Sequence, residues 1–227
     1  MKKKPSFAAS VVEDYVKVIY SHTEWQPEPI TTSALAARLG LAASSVTEMV
    51  KKLSASGLVG HVPYGAVTLT ADGRTLALRM LRRHRLIETW LVVSFGYGWD
   101  EVHEEAEMLE HAISDRLLEA ISAKLGHPRR DPHGDPIPAS DGTVRQPDAV
   151  LLRDAPDGFA GQVARISDRD PTLLRYLEAE GVVLDAPLTV LERRPFGGAL
   201  AVRLPNAGEI DLGAEATAAI WLSPPVE

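Results

Sequence analysis

His103, Glu107, Glu110 and His111 follow one another at spacings of four, three and one residue, and upstream His84 and Glu88 stand four apart. Imidazole nitrogens and carboxylate oxygens at such intervals gather on one side of a helix. At about 100° per residue, the four downstream residues lie at roughly 0°, 40°, −20° and 80° from His103. That face carries metal ligands. Each residue alone fits a solvated acidic face with capping histidines; paired at i, i+4 on two neighbouring helices, they point to a bound divalent cation. The chain has no cysteine, which excludes disulfides, thiolate zinc modules, iron–sulfur clusters and thiol nucleophiles. Any metal therefore falls to His, Asp, Glu or backbone oxygen. The H-E-x-x-H pattern of metalloproteases is absent, because position 107 holds Glu. A metal-dependent hydrolase would also need an open coordination position and a general base, and no motif for either is present, so the chain is not read as an enzyme.

A second group of residues suits DNA. On a helix expected from Ala43 to Ser54, Ser44, Ser45, Thr47 and Glu48 come first and Lys51 and Lys52 follow. Small hydroxyls and one carboxylate let a helix lie deep in a major groove and touch base edges, and lysines at the far end meet phosphate. The alternative is an ordinary amphipathic helix with solvated polar residues.

The elements that would position these groups can be read from periodicity and caps. Val12, Val16, Ile19 and Tyr20 recur at helical spacing, predicting a helix over 9–21. Thr31-Thr32-Ser33 offers N-cap hydroxyls to a short helix over 34–39, and Gly40 gives the turn into the 43–54 helix. Two β-rich runs, 58–62 and 67–70, flank Pro63-Tyr64-Gly65 as a hairpin whose tip at Tyr64 to Ala66 could reach the DNA backbone or minor groove. Helix, turn, helix and hairpin make a winged helix. Long helices follow over 71–93 and 101–125, then a Pro- and Gly-rich connector over 126–147. The remainder shows strand-like runs at 162–166, 188–192, 199–204, 209–212 and 217–221, with a helix near 171–180, the pattern of a small β-barrel.

The 227 residues suffice for two or three small domains, and 45% hydrophobic content for their cores. The net charge of −7 hides an asymmetry: residues 1–83 carry 11 basic and 6 acidic side chains, +5, and the rest carries 13 basic and 25 acidic, −12. A basic module precedes a cation-attracting one. Neither a secretory signal nor an uncharged apolar run of membrane-spanning length is present, which predicts a cytoplasmic protein.

Lys17-Val18-Ile19-Tyr20, Ser44-Ser45-Val46-Thr47, Gly57-Leu58-Val59, His84-Arg85-Leu86, Val102-His103-Glu104-Glu105-Ala106-Glu107, Glu110-His111 and Gly134-Asp135-Pro136-Ile137-Pro138 together resemble the diphtheria toxin repressor family over nearly the whole chain. The resemblance implies a mixed α plus β protein. Its parts would be a winged helix-turn-helix DNA-binding domain over 1–75, a helical metal-binding and dimerisation domain over 76–140, a linker over 141–155 and an SH3-like β-barrel over 156–227. It further implies a metal-dependent repressor that binds palindromic operator DNA as a homodimer, two dimers per operator being one arrangement. Leu86, Trp90, Leu91, Ile113, Leu117 and Ile121 are the apolar positions for a dimer face, or else for the core within one chain.

Carried onto this sequence, the resemblance puts a primary metal site on Asp14, Glu107, Glu110 and His111, and an ancillary one on His84, Glu88 and His103. Asp168 or Asp170 could add a ligand there. The positions of Asp14 and Glu107 hold soft sulfur donors in the iron-responsive branch and hard carboxylates here, which favours Mn²⁺ at two sites per subunit. Fe²⁺ is the alternative, with Zn²⁺, Co²⁺ or Cd²⁺ as substitutes. The short manganese regulators carry a Glu where this chain has Lys17. A winged-helix regulator answering to an organic ligand is the remaining rival.

Overall fold

The computed structural model describes residues 7–61, 65–196, 198–205 and 207–224, and the chain falls into two compact units. The first comprises 1–84, 108–118 and 138–143; the second comprises 85–107, 119–137 and 144–227.

In the first unit, α1 (Phe7–Thr23) leads to a two-residue strand β1 (Ile30–Thr31), α2 (Thr32–Leu39), α3 (Ala43–Ala55), β2 (Val59–His61) and β3 (Ala66–Leu69). Thr31 caps α2 by accepting the Ala34 N–H at 3.1 Å, and Gly40 ends it at φ +63°, a conformation that glycine adopts without a Cβ penalty. Val46, Val50 and Leu53 bury one stripe of α3 against Tyr15, Ile19, Ile30, Leu35 and Val67. Complete burial of a side chain such as Leu35 is worth about 2 kcal/mol. The strands form an antiparallel sheet in the order β1-β3-β2. This is the expected winged helix; the hairpin tip at Tyr64 lies outside the described residues.

Thr70 caps the next helix, α4 (Ala71–Phe95), by accepting the Gly73 N–H at 3.1 Å. Then come α5 (Val102–Leu109) and α6 (Asp115–Lys124), where the sequence suggested one helix over 101–125. The break has a long-range cause. The Arg83 guanidinium donates to the carbonyls of Glu110 and Ile113 and to the Asp115 carboxylate, satisfying the C=O groups that a helix end leaves open. Ser114 then restarts the helix, its hydroxyl accepting the Leu117 N–H at 3.2 Å. Glu110 and His111 therefore sit on a turn and not on a helix face.

The second unit contains an antiparallel sheet in the order β4-β9-β5-β6-β7-β8, built from β4 (Val150–Leu151), β5 (Ala160–Ile166), β6 (Pro187–Arg193), β7 (Leu200–Leu204), β8 (Gly208–Leu212) and β9 (Ile220–Ser223), with α7 (Pro171–Ala179) and α8 (Ala214–Thr217) in its connections. Bulges at Val163/Arg165 and Val190/Glu192 bend it, as an SH3-like barrel requires. Its core gathers Leu152, Val163, Ile166, Leu174, Leu177, Val190, Val202 and Leu222. Three expectations are corrected here. Thr217 ends α8, so the last strand begins at Ile220 and not at 217. β4 and buried Leu152 fall within 141–155, so the linker is shorter than expected. The connector over 126–147 is in part core: Asp131, His133, Asp135 and Ile137 are buried, and the Ile166 N–H donates to the His133 carbonyl at 2.9 Å. Of the apolar positions weighed for a dimer face, Leu86, Leu91 and Ile121 are buried within the chain, whereas Leu117 is exposed, as are Val93, Phe95 and Met108.

Candidate metal centres and nucleic-acid face

In the first unit, α1 supplies Asp14 and the turn after α5 supplies Glu110 and His111. His111 Nε2 lies 2.8 Å from Asp14 Oδ1 and 3.5 Å from Glu110 Oε1. Its other nitrogen, Nδ1, lies 2.9 Å from Glu13 Oε2, and Arg79 holds Glu13 at 3.7 Å. A proton on Nδ1, donated to Glu13, would leave the Nε2 lone pair facing Asp14 and Glu110. One ligand atom from each of Asp14, Glu110 and His111 falls within 4.8 Å of the others, a hard donor set that fits Mn²⁺. Glu110 is wholly buried. Burial alone would raise its pKa, but the contacts with His84 Nδ1 and Lys17 Nζ, both at 2.6 Å, hold it below the usual carboxylate range. Lys17, a departure from the short manganese regulators in sequence, is a member of this cluster in the fold.

In the second unit, Glu88, Asp131 and His133 are all buried and offer ligand atoms within 4.8 Å of one another. His133 Nε2 bonds the Trp99 carbonyl at 2.6 Å, and among the described residues its buried Nδ1 has no hydrogen-bond partner. An imidazole nitrogen left in this way beside two carboxylates fits a metal. The charge state agrees. Burial, and then the charges of Asp135 and Glu88, push the Asp131 carboxyl up to about 8. Burial works against an imidazolium at His103, but the Asp168 and Glu88 carboxylates push it up to about 11. Protons are thus held where a cation would neutralise the same carboxylates. His103 Nδ1 is 3.4 Å from Glu88 and 3.2 Å from Asp168, and its Nε2 is 3.6 Å from Glu107.

The expected ligands therefore sort as follows. Asp14, Glu110, His111 and His84 lie together in the first unit, while Glu88, His103, Glu107 and Asp168 lie in the second. Asp170 caps α7 by accepting the Thr172 and Leu173 N–H groups, which accounts for that carboxylate structurally. Asp131 and His133 were missed. Their signal was an Asp and a His two apart in a segment whose prolines and glycines suggested a connector.

On α3, Ser44, Ser45, Glu48, Lys51 and Lys52 are exposed and Thr47 partly so. Thr47 Oγ1 donates back to the Ala43 carbonyl at 2.8 Å, and Glu48 accepts from Lys51 at 2.8 Å. The polar side of α3 is presented as a groove-reading helix requires.

Comparison with known proteins finds family matches along most of the chain. Residues 9–67 match the family described as "Iron dependent repressor, N-terminal DNA binding domain", residues 70–139 match "Iron dependent repressor, metal binding and dimerisation domain", and residues 150–224 match "FeoA domain". The chain is 31% identical over 220 residues to the iron-dependent repressor IdeR of Mycobacterium tuberculosis, spanning 92% of this chain and 94% of that protein. It is 52% identical to a manganese-dependent transcriptional repressor solved in complex with manganese, with a TM-score of 0.91 over 94% of this chain and 100% of that one. It is also similar to ScaR solved with bound Zn²⁺, at 32% identity and a TM-score of 0.82 over 94% and 99% of the two chains.

Proposed function

Since the chain belongs to the diphtheria toxin repressor family, it is a metal-dependent transcriptional repressor and not an enzyme, and we propose that the metal to which it responds is Mn²⁺. The observation that carries this reading is the Asp14, Glu110 and His111 cluster: two hard oxygens and one imidazole nitrogen, with carboxylate at the α1 position. The 52% identity to a manganese-dependent repressor supports it. A second ion is assigned to Glu88, Asp131 and His133, with Asp168 and His103 beside them.

When bound, Mn²⁺ supplies two positive charges that neutralise the carboxylates around it. Asp14, Glu110 and His111 would then share one ion, adding a link between α1 and the turn at residues 110–113 to the Glu13–His111 contact already there. Because α1 packs into the core that carries α3, the tie fixes the recognition helix. In a homodimer the two α3 helices would then hold the half-site separation of a palindromic operator, one helical turn or a multiple of it, with two dimers per operator as one arrangement. No helix among the described residues is long and apolar enough to cross a membrane, and the repressor is assigned to the cytoplasm with its DNA. The test is operator affinity under Mn²⁺, Fe²⁺ and Zn²⁺ at matched free-metal concentrations, on a palindromic duplex selected from random sequence by the Mn²⁺-loaded protein. Operator affinity that does not change across the Mn²⁺ titration would overturn the proposal.

Two further outcomes are expected. Lys51→Ala and Lys52→Ala each remove one phosphate contact, so each lowers the slope of log affinity against log salt by about 1 while leaving sequence preference in place. Binding measured from low to moderate salt checks this. The second concerns pH. Asp131 has a folded pKa of about 8, above its ordinary carboxylate value, so its contribution to the stability of the metal-free chain is complete at low pH and lost as pH rises through 8. Mn²⁺ uptake at the second site runs the other way. It releases the Asp131 proton below pH 8, so affinity climbs by up to about tenfold per pH unit toward 8 and then levels for this group. Calorimetry in buffers of different ionisation enthalpy reads the released proton directly.

A further inference from the structure

Lys17 stands three residues after Asp14 on α1, so both share one face of that helix. It is only 5% exposed, and its ammonium lies 2.6 Å from Glu110 Oε1. The other oxygen of that carboxylate, Oε2, is taken by His84 Nδ1 at 2.6 Å. Glu110 Oε1 is also the oxygen that His111 Nε2 approaches at 3.5 Å. The helix that brings a metal ligand to the cluster thus brings a permanent cation to the same carboxylate.

An unpaired buried carboxylate is costly, and Lys17 removes that cost in the metal-free chain. A divalent ion sharing Glu110 with Asp14 and His111 would meet a second positive charge within a few ångströms in a poorly screened interior. The two cations compete for one oxygen. Lysine suits such exchange, having one compact charge on a flexible four-carbon stem, whereas a guanidinium would hold the carboxylate through two fixed donors.

We propose that Lys17 is a built-in competitor of the activating metal: its ammonium occupies Glu110 until the ion displaces it, and that exchange sets the metal concentration at which the repressor responds. Lys17 is a positioning residue and not a ligand. The inference rests on the reading of Asp14, Glu110 and His111 as a Mn²⁺ site.

The test is calorimetric Mn²⁺ binding to the full chain as wild type, Lys17→Met and Lys17→Gln, with Lys17→Arg as the charge-conserving control and thermal unfolding in chelator alongside. Lys17→Gln keeps a donor for Glu110 and guards against a misfolded Lys17→Met. Removal of the charge is expected to tighten Mn²⁺ binding at the first site tenfold or more, to lower the unfolding temperature of the metal-free chain and to enlarge the rise caused by Mn²⁺. Lys17→Arg should show no tightening. A merely structural lysine would give weaker binding on replacement. Unchanged or weaker binding in both neutral variants, with wild type still binding at Asp14, overturns the competitor role and leaves the Mn²⁺ reading intact. Wild type that binds no Mn²⁺ at this site overturns both.

Discussion

Asp14→Ala is expected to abolish Mn²⁺-dependent operator binding. At a free Mn²⁺ concentration that saturates wild type, operator affinity should fall to the non-specific level, a loss on the order of a thousandfold, the lower end of the usual gap between specific and non-specific DNA binding. The side chain is one of three donors in the first cluster and the one that α1 contributes. Its removal takes away the only one of the three donors that α1 contributes, and leaves α1 joined to the turn by the Glu13–His111 and Lys17–Glu110 contacts, neither of which needs an ion. Asp14 is partly exposed and supports no core, so the variant should fold normally. Fluorescence anisotropy with labelled operator reads the loss, and unfolding in chelator checks the fold. An Asp14→Ala protein that responds to Mn²⁺ with wild-type amplitude would remove α1 from the metal response.

The second large effect is on stability. Gly134 lies at φ +92°, and a Cβ added there would stand 2.1 Å from the Ala164 carbonyl oxygen and 2.9 Å from the Arg165 Cα. Those are backbone atoms of a central strand, which cannot step aside as a flexible side chain would. Gly134→Ala must therefore lift the 131–137 segment off β5, breaking the Ile166 to His133 backbone bond and loosening the Asp135 to Arg165 pair at 2.8 Å. Backbone strain and lost packing together should cost about 3 kcal/mol or more, lowering the unfolding temperature by roughly 10 °C. Gly142→Ala is the control. Gly142 has a similar φ of +83° but nothing within 4 Å, so it should show only the conformational penalty of about 1 kcal/mol. Equal losses in the two variants would mean that the segment's seat on β5 contributes little.

These two positions also mark where the sequence was readable. The winged helix was legible because local signals agree: a Thr31 cap, a left-handed Gly40, and the buried stripe Val46, Val50 and Leu53 at helical spacing. Strands β5 to β9 were legible to within a few residues from their β-rich runs, whereas the two-residue β4 was too short to stand out from the expected linker. The break between α5 and α6 was not, because no Gly or Pro marks Glu110-His111-Ala112-Ile113 and the group that closes the helix end, Arg83, comes from 27 residues upstream. Asp131 and His133 were hidden for the opposite reason. Their neighbours Pro132, Gly134 and Pro136 suggest exposed chain, whereas the glycine is there so that backbone can lie against backbone. Lys17 was visible as a departure from a family pattern, but its pairing with Glu110 spans 93 residues and only the folded chain shows it.

The donors in both clusters are carboxylate oxygens and imidazole nitrogens, in a chain without a single cysteine. Peroxide inactivates thiolate-ligated sensors by carrying sulfur from thiolate to sulfenic acid and beyond. That reaction has no starting material at either cluster. With these residues as its ligands, the repressor would lose none of them by thiol oxidation, and its response to metal would not be tied to the oxidation state of a cysteine.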